Sequence, residues 1–460
     1  MKKIIVLFIG FVVFTSCTNL QNTTESLPPF SLEDVQKRSF LYFWELSDSE
    51  NTLIPDRWPT PSFSSIAAQG FGYTAWLIGI EKGWISREEA AQRVARSFRF
   101  LLNLPQGPQK SGIGGYKGFY YHFLEMKNGH RFKAIELSSI DTGLLMAGIL
   151  TCMTYFDHDT EVEAEIRRLA DSLYRRVEWD WMFDPGQQAL SMGWHPESGF
   201  IPAWWTGYNE AMIVNIMAMA SPTHPIPAKA WESWCKPYLW EEFQGQEHVN
   251  FGPLFGHQYS HMYIDFRGIQ DSFMLARGID YFENSRRATL SNRAYCIANP
   301  LGFPNYSDSI WGLTACDGPG DSLLYFGGKE IRFMGYSARG AAADYHVDDG
   351  TLAPTAAGGS IPFAPEVCIP ALRAMYNTYG PLLYDKYGFK DAFNLTWKFG
   401  HQNKNGWFDV DYIGIDQGPF VIQIANYENG FVWDLLKRNP YIVEGLKKAG
   451  FKGGWLEAQY

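Results

Sequence analysis

The chain has 460 residues, with 49 acidic against 39 basic side chains and a formal net charge of −10 at pH 7. That balance, without a basic stripe, excludes nucleic acid as a partner. Cys152, Cys235, Cys296, Cys316 and Cys368 show no C-x-x-C spacing, which excludes a disulfide framework and a cysteine zinc site.

In chain order, Lys2 and Lys3 precede an apolar run, Ile4 to Phe14, too short to span a bilayer as a mature helix. It closes on small residues before Cys17. We therefore expect residues 1–17 to be a lipoprotein signal peptide, with Cys17 lipidated and the protein exported and anchored in a membrane leaflet. An ordinary secretory leader with an incidental cysteine is the alternative. The stretch after Cys17 lacks an acidic cluster, which favours a periplasm-facing anchor over the cell surface. Residues 18–30 are polar and proline-bounded, a tether. Residues 31–460 are expected to form a single domain.

Within it, 3.6-residue apolar periodicity dominates. Helices are expected at 31–46, 64–82, 86–103, 138–156 and 160–178, with capping boxes opening at Ser86 and Thr160. A short hairpin is expected within 107–123. Further helices are expected at 209–220, 228–240, 259–266, 271–298, 365–379, 387–400, 418–438 and 440–449. They alternate between apolar-all-round and one-sided character. An inner ring and an outer ring of helices satisfy that pattern. The expected fold is all-α, an (α/α)6 barrel, with long loops and small β-hairpins over a cleft. Residues 301–363 are the longest low-helix stretch, and a loop of that length is usually functional.

The stretch Met192 to Ser221 concentrates the chemistry. Trp194, Trp204, Trp205 and Tyr208 offer ring faces that suit a sugar's C–H face, with Trp311 a further candidate. His195 and Asn209 add polar groups, and Asn209 is placed to cap the apolar helix that follows. Glu210 opens that helix, where burial would raise a carboxyl pKa towards the range of a general acid. Glu136, Asp141 and Asp416 stand at comparable helix starts. Acid–base cleavage of a glycoside needs two such groups. His257, with Tyr259 nearby, is expected to hydrogen-bond in the cleft or its wall, both being candidates to touch substrate, and Asp317 either orders its Gly-Pro loop or touches a hydroxyl. His257 and His261 are spaced i, i+4 but lack HExxH, so no metal and no cofactor are expected.

Several stretches together resemble one family, the bacterial glycoamylase-like proteins of glycoside hydrolase family 144, which include β-1,2-glucanases. They are GFGYTAWLIGIEKGWISREEA (70–90), ELSSIDTGLLMAG (136–148), SMGWHPESGFIPAWWTGYNEAM (191–212) and SPTHPIPA (221–228). FGHQYSHMYIDFRGIQD (255–271), GLTACDGP (312–319), DGTLAPTAAGGSIPFAPE (349–366) and IDQGPFVIQIANYENGFVW (415–433) continue it. The resemblance implies an (α/α)6 barrel, no required metal, and hydrolysis of β-1,2-linked glucan or its oligosaccharides with inversion. The action would be endo, or exo with sophorose release. It places the general acid on Glu210 and leaves Asp141, Asp416 and Glu136 as candidates for base or proton relay. The rival readings are an α-glucan hydrolase, a polysaccharide lyase and a non-catalytic glycan-binding lipoprotein. The partners implied are a saccharide and a membrane leaflet, with the protein otherwise a monomer.

Overall fold

A computed structural model describes residues 27–399 and 404–457. The segment expected to be a signal peptide, residues 1–17 with Cys17, and the expected tether up to residue 26 lie outside the described residues.

Hydroxyl caps start the N-terminal helices. Ser31, Ser65, Ser86, Ser138 and Thr160 are extended, and each side chain accepts the backbone N–H three residues on. That satisfies a donor every helix start leaves unpaired. They open α1 (Leu32–Glu45), α2 (Ile66–Glu81), α3 (Arg87–Asn103), α4 (Ser139–Tyr155) and α5 (Glu161–Arg175). There follow α6 (Met212–Ala220), α7 (Tyr259–Tyr263), α8 (Tyr281–Ala298), α9 (Pro354–Gly358) and α10 (Pro365–Leu383). The last are α11 (Gly414–Asn429) and α12 (Pro440–Lys448). The described chain is mostly helical, and its strands pair only into two- and three-stranded sheets.

The helices are of two kinds. α2 is buried from Ile66 to Gly79, α6 throughout, and α11 from Asp416 to Asn426, so polar residues there need partners inside the protein. α3, α5 and α12 bury one face and keep their charges on the other, except for Glu163 of α5, which is buried and paired with Arg87 at 2.8 Å. α2 packs on α4 and α11, α4 on α6, and α7 and α9 on α11. Of the second kind, α3 lies against α2, α5 against α4, and α12 against α6. Where α2 crosses α4 the backbones touch. A methyl at Gly70 would lie 2.3 Å from the Leu144 carbonyl, and one at Gly148 2.1 Å from that of Gly70. Only glycine allows that approach.

The long stretch 301–363 folds into hairpins fixed by a buried ion pair. Arg339 and Asp349 are both unexposed and meet at 2.8 Å. The same guanidinium donates to the carbonyls of Cys316 and Met334, at 2.8 and 2.9 Å. That network sets the position of the loop carrying Asp317.

Several expected boundaries change. Residues 387–400 form no helix over their described part. Gly388 has φ +89°, and Phe393–Asn394 join a three-stranded sheet with Thr351–Leu352 and Trp407–Phe408. The helix expected at 228–240 spans Lys229–Cys235, and the chain beyond Pro237 enters the strand Trp240–Phe243. That over 271–298 divides at Gly278, φ +69°, and restarts where Asp280 caps α8. That over 418–438 begins earlier, at Gly414, and stops at left-handed Gly430. The helix expected at 259–266 ends at Tyr263, and α9 arises inside the stretch read as loop.

Candidate active site

Glu210 is set by its own turn. Asn209 Oδ1 accepts the Ala211 N–H at 3.0 Å, and its amide donates to the carbonyls of Thr206 and Gly207. The helix begins only at Met212, so Asn209 braces the turn rather than capping a helix from 209. The Glu210 carbonyl accepts from Ser260 Oγ at 3.0 Å, which ties the turn to α7. Burial pushes the Glu210 carboxyl up to about 7, and the nearby Asp141 charge adds to this against an opposing backbone hydrogen bond. The carboxyl is therefore largely protonated in mildly acidic solution.

His122 links the next two candidates. Its Nδ1 lies 2.8 Å from Glu136 Oε1, and its Nε2 3.4 Å from Asp141 Oδ1. Burial alone would lower its pKa, but Asp141 and Glu136 outweigh that and raise it to about 9. A cationic imidazole thus separates two carboxyls. Glu136 is held below the usual range, because the His122 contacts outweigh its burial. Burial raises Asp141 against the His122 charge and the Ser138 hydroxyl, which donates to Asp141 Oδ2. Both oxygens of Asp141 are thus engaged, one in the cap of α4 and one towards His122.

Asp416 lies in the first turn of α11, inside the helix rather than before it, and is 3% exposed. Around it the fold gathers Asp56, Asp317, Asp391, Asp409 and Asp411. Arg57 is their cation: it bonds Asp317, and reaches Asp56 Oδ2 at 3.3 Å and Asp411 Oδ2 at 3.7 Å. Asp391 Oδ2 accepts the Asp317 N–H at 2.7 Å, and Asp411 Oδ1 the Thr60 N–H at 2.9 Å. Burial first, and neighbouring carboxyls second, hold Asp391 and Asp409 above the normal carboxylate range; burial does the same for Asp416. One oxygen each of Asp317, Asp409 and Asp411 lies within 4.8 Å of the others. The Tyr259 phenol is close enough to feel Asp416, Glu210, Asp391 and Asp141 together. Its hydroxyl donates to the Ile415 carbonyl at 3.3 Å.

A cleft of about 410 Å³ opens beside these groups, lined by Asp56, Arg57, Phe63, His122, Phe123 and Tyr336 among others. Phe63 and Phe123 pack with ring centroids 4.1 Å apart, and His122 stacks on Phe123 at 3.9 Å. That gives the cleft an apolar platform beside its charges.

The aromatic residues singled out in the sequence are placed differently. Trp311 is unexposed within a core cluster, because the 301–363 stretch folds over it. His257 is also unexposed. Its Nε2 faces the Phe251 carbonyl, its ring lies 4.7 Å from that of Tyr208, and burial holds it neutral. Tyr208 is 4% exposed and also stacks on Tyr281. These three build the wall and do not reach the cleft. Trp205 donates its indole N–H to Ser139 Oγ at 2.8 Å, bracing the start of α4. Trp204 donates to Asp184 Oδ2 and lines a different groove with Trp181 and Phe200. Trp194 packs on Tyr116 and Trp181, and His195 lies 3.4 Å from Arg131 Nη2.

His122, Arg57, Asp56, Asp391, Asp409 and Asp411 carry no sequence signal that singles them out. The nearest to one is the acid–aromatic mixture of WFDVDY (407–412).

Fold and site together define a class: a helical protein in which several buried carboxyls gather beside a cleft, the kind of groups that acid–base chemistry on a glycosidic bond requires. A family model described as "Glycoamylase: Putative glucoamylase" matches residues 202–440, and the chain belongs to that family. A Bacteroides uniformis structure carrying the same glucoamylase description is 33% identical, covers 93% of this chain and all of its own, and superposes with a TM-score of 0.80. The endo-β-1,2-glucanase of Chitinophaga pinensis, solved with sophorotriose and glucose, is 29% identical. The match covers 93% of this chain and 100% of that one, with a TM-score of 0.77. An exo β-1,2-glucooligosaccharide sophorohydrolase (non-reducing end) of Parabacteroides distasonis is 28% identical over 471 residues. That match covers 94% of this chain but 59% of the relative's length.

Proposed function

We propose that this protein hydrolyses β-1,2-linked glucan or its oligosaccharides with inversion at the anomeric carbon. The observation that carries the reading is that Glu210, pushed up to about 7 by burial, shares a site with two further buried carboxyls, Asp141 and Asp416, which burial also raises, Asp416 to about 8. Glu210 gives its proton to the glycosidic oxygen as the bond to the anomeric carbon breaks. A carboxylate takes a proton from water, directly or through a substrate hydroxyl, as the water oxygen attacks that carbon. Asp416 suits the base role better than Asp141, since both oxygens of Asp141 are engaged by Ser138 and His122. Glu136 is bound to His122 and serves to hold that cation. The specificity for β-1,2-glucan is supported by the substrates named for the Chitinophaga and Parabacteroides relatives.

The test is incubation with β-1,2-glucan, with product sizes read by chromatography and the first anomer read by NMR. Release of sophorose alone would mean exo action, mixed sizes endo action, and no cleavage would sink the reading. The pH profile has a definite sign. Glu210 acts in its protonated form, so kcat/KM should fall with rising pH through about 7. A rate that holds level to pH 9 would count against Glu210 as the acid.

The alternation of buried and one-sided helices supports closure into an (α/α)6 barrel with the cleft at one end. We also infer that the chain is exported, anchored through a lipid on Cys17 towards the periplasm, and otherwise monomeric. Cys17→Ser should move it from the membrane fraction to the soluble one, and unchanged fractionation would refute the anchor.

A further inference from the structure

Asp391 is a buried carboxyl with no cation of its own. It is 2% exposed, and no basic side chain is among its neighbours of largest influence, which are Asp416 and Asp317. Its Oδ2 accepts the Asp317 N–H, while its Oδ1 has no donor. Asp416 Oδ2 has no donor either, and the two carboxyls are in hydrogen-bonding contact. Two carboxylates in contact repel unless a proton lies between them. A proton on Asp391 Oδ1 lets that oxygen donate to the Asp416 carboxyl and leaves Oδ2 as the carbonyl-like acceptor that the Asp317 amide already contacts.

We propose that Asp391 is a neutral hydrogen-bond donor, a positioning residue that favours the ionised form of Asp416 and fixes its orientation for proton abstraction. The inference rests on Asp416 being the base. The surroundings agree with a neutral Asp391. Asp317, Asp409 and Asp56 face the pair from neighbouring loops, Tyr259 from α7, and Tyr336 from the cleft rim, while Arg57 engages Asp56, Asp317 and Asp411. With Arg57 committed to those carboxylates, and Arg339, which donates to the Asp317 carbonyl, already paired with Asp349, a second full negative charge beside Asp416 is poorly offset. During turnover Asp416 accepts one proton from the attacking water while Glu210 gives one to the leaving oxygen. Asp391 keeps its proton throughout, and after product release Asp416 returns one proton to solvent as Glu210 regains one.

A neutral donor can be replaced by an amide of the same shape, and an anion cannot. Asp391→Asn, with Oδ1 accepting from Asp317 and Nδ2 donating to Asp416, should keep kcat within about threefold of the parent, whereas Asp391→Ala should lose about 10²-fold with KM little changed. Should the alanine variant not fold, Asp391→Leu, similar in shape without a donor, takes its place. An Asn variant that is unfolded, or as inactive as the donor-less variant, overturns the proposal; so does full activity in the donor-less variant. Asp416→Asn run alongside separates the two levels. If it stays active, the base assignment itself fails and the Asp391 role with it. If it is inactive while Asp391→Asn is also dead, only the Asp391 role fails.

Discussion

Replacing Glu210 with Gln is expected to lower kcat by about 10²–10⁴-fold, the usual contribution of a positioned general acid, while leaving oligosaccharide affinity nearly intact. The substitution keeps the shape of the side chain and removes the proton that can be given up. It also fits the site electrostatically. Burial already favours the uncharged form of Glu210, so a neutral amide introduces no new desolvation cost. The turn should survive, because it is held by Asn209 and by Ser260 bonding the residue-210 carbonyl, neither of which uses the carboxyl. Binding measured by calorimetry beside steady-state kinetics would separate the two effects. Turnover near that of the parent would rule out Glu210 as the acid.

Asp416→Asn is expected to cost at least as much, about 10²–10⁴-fold in kcat, and at every pH, because the site loses the group that accepts the proton of water. Its contrast with Asp141→Asn is the informative part. Asp141 caps α4 through Ser138, faces His122, and contributes to the raised pKa of Glu210. Removing its charge should therefore move the alkaline limb of the pH profile to lower pH and leave residual turnover. If Asp141→Asn abolishes turnover at all pH values while Asp416→Asn keeps a measurable rate, the two roles are exchanged.

His122 gives the site its internal order. Raised to about 9, it stays cationic at neutral pH and stabilises the ionised forms of Glu136 and Asp141 on either side. Arg57 does the same among the aspartates around Asp416. The two sides of the site thus have separate counter-ions. Glu210, with neither, is pushed up to about 7.

By itself the sequence determined the helices that begin at Ser31, Ser86, Ser138 and Thr160, and the carboxyl that would be desolvated at 210. Those outcomes depend on groups a few residues apart: a hydroxyl reaching the third N–H on, or an acid leading an apolar run. It also placed Asp141 in the first turn of a buried helix and Asp416 just before another, although the structure takes Asp416 into the helix itself. Only the tertiary structure decided that Trp311, His257 and Tyr208 are wall rather than cleft. An aromatic ring fits a core and a sugar platform equally well, and its exposure depends on what folds over it. Likewise, Asp56, Asp317, Asp391, Asp409 and Asp411 each fit an ordinary turn locally. Their shared charge environment, and the pairing of Asp391 with Asp416, arise because distant loops converge beside α11. Electrostatic coupling depends on distance through space, which separation along the chain does not encode.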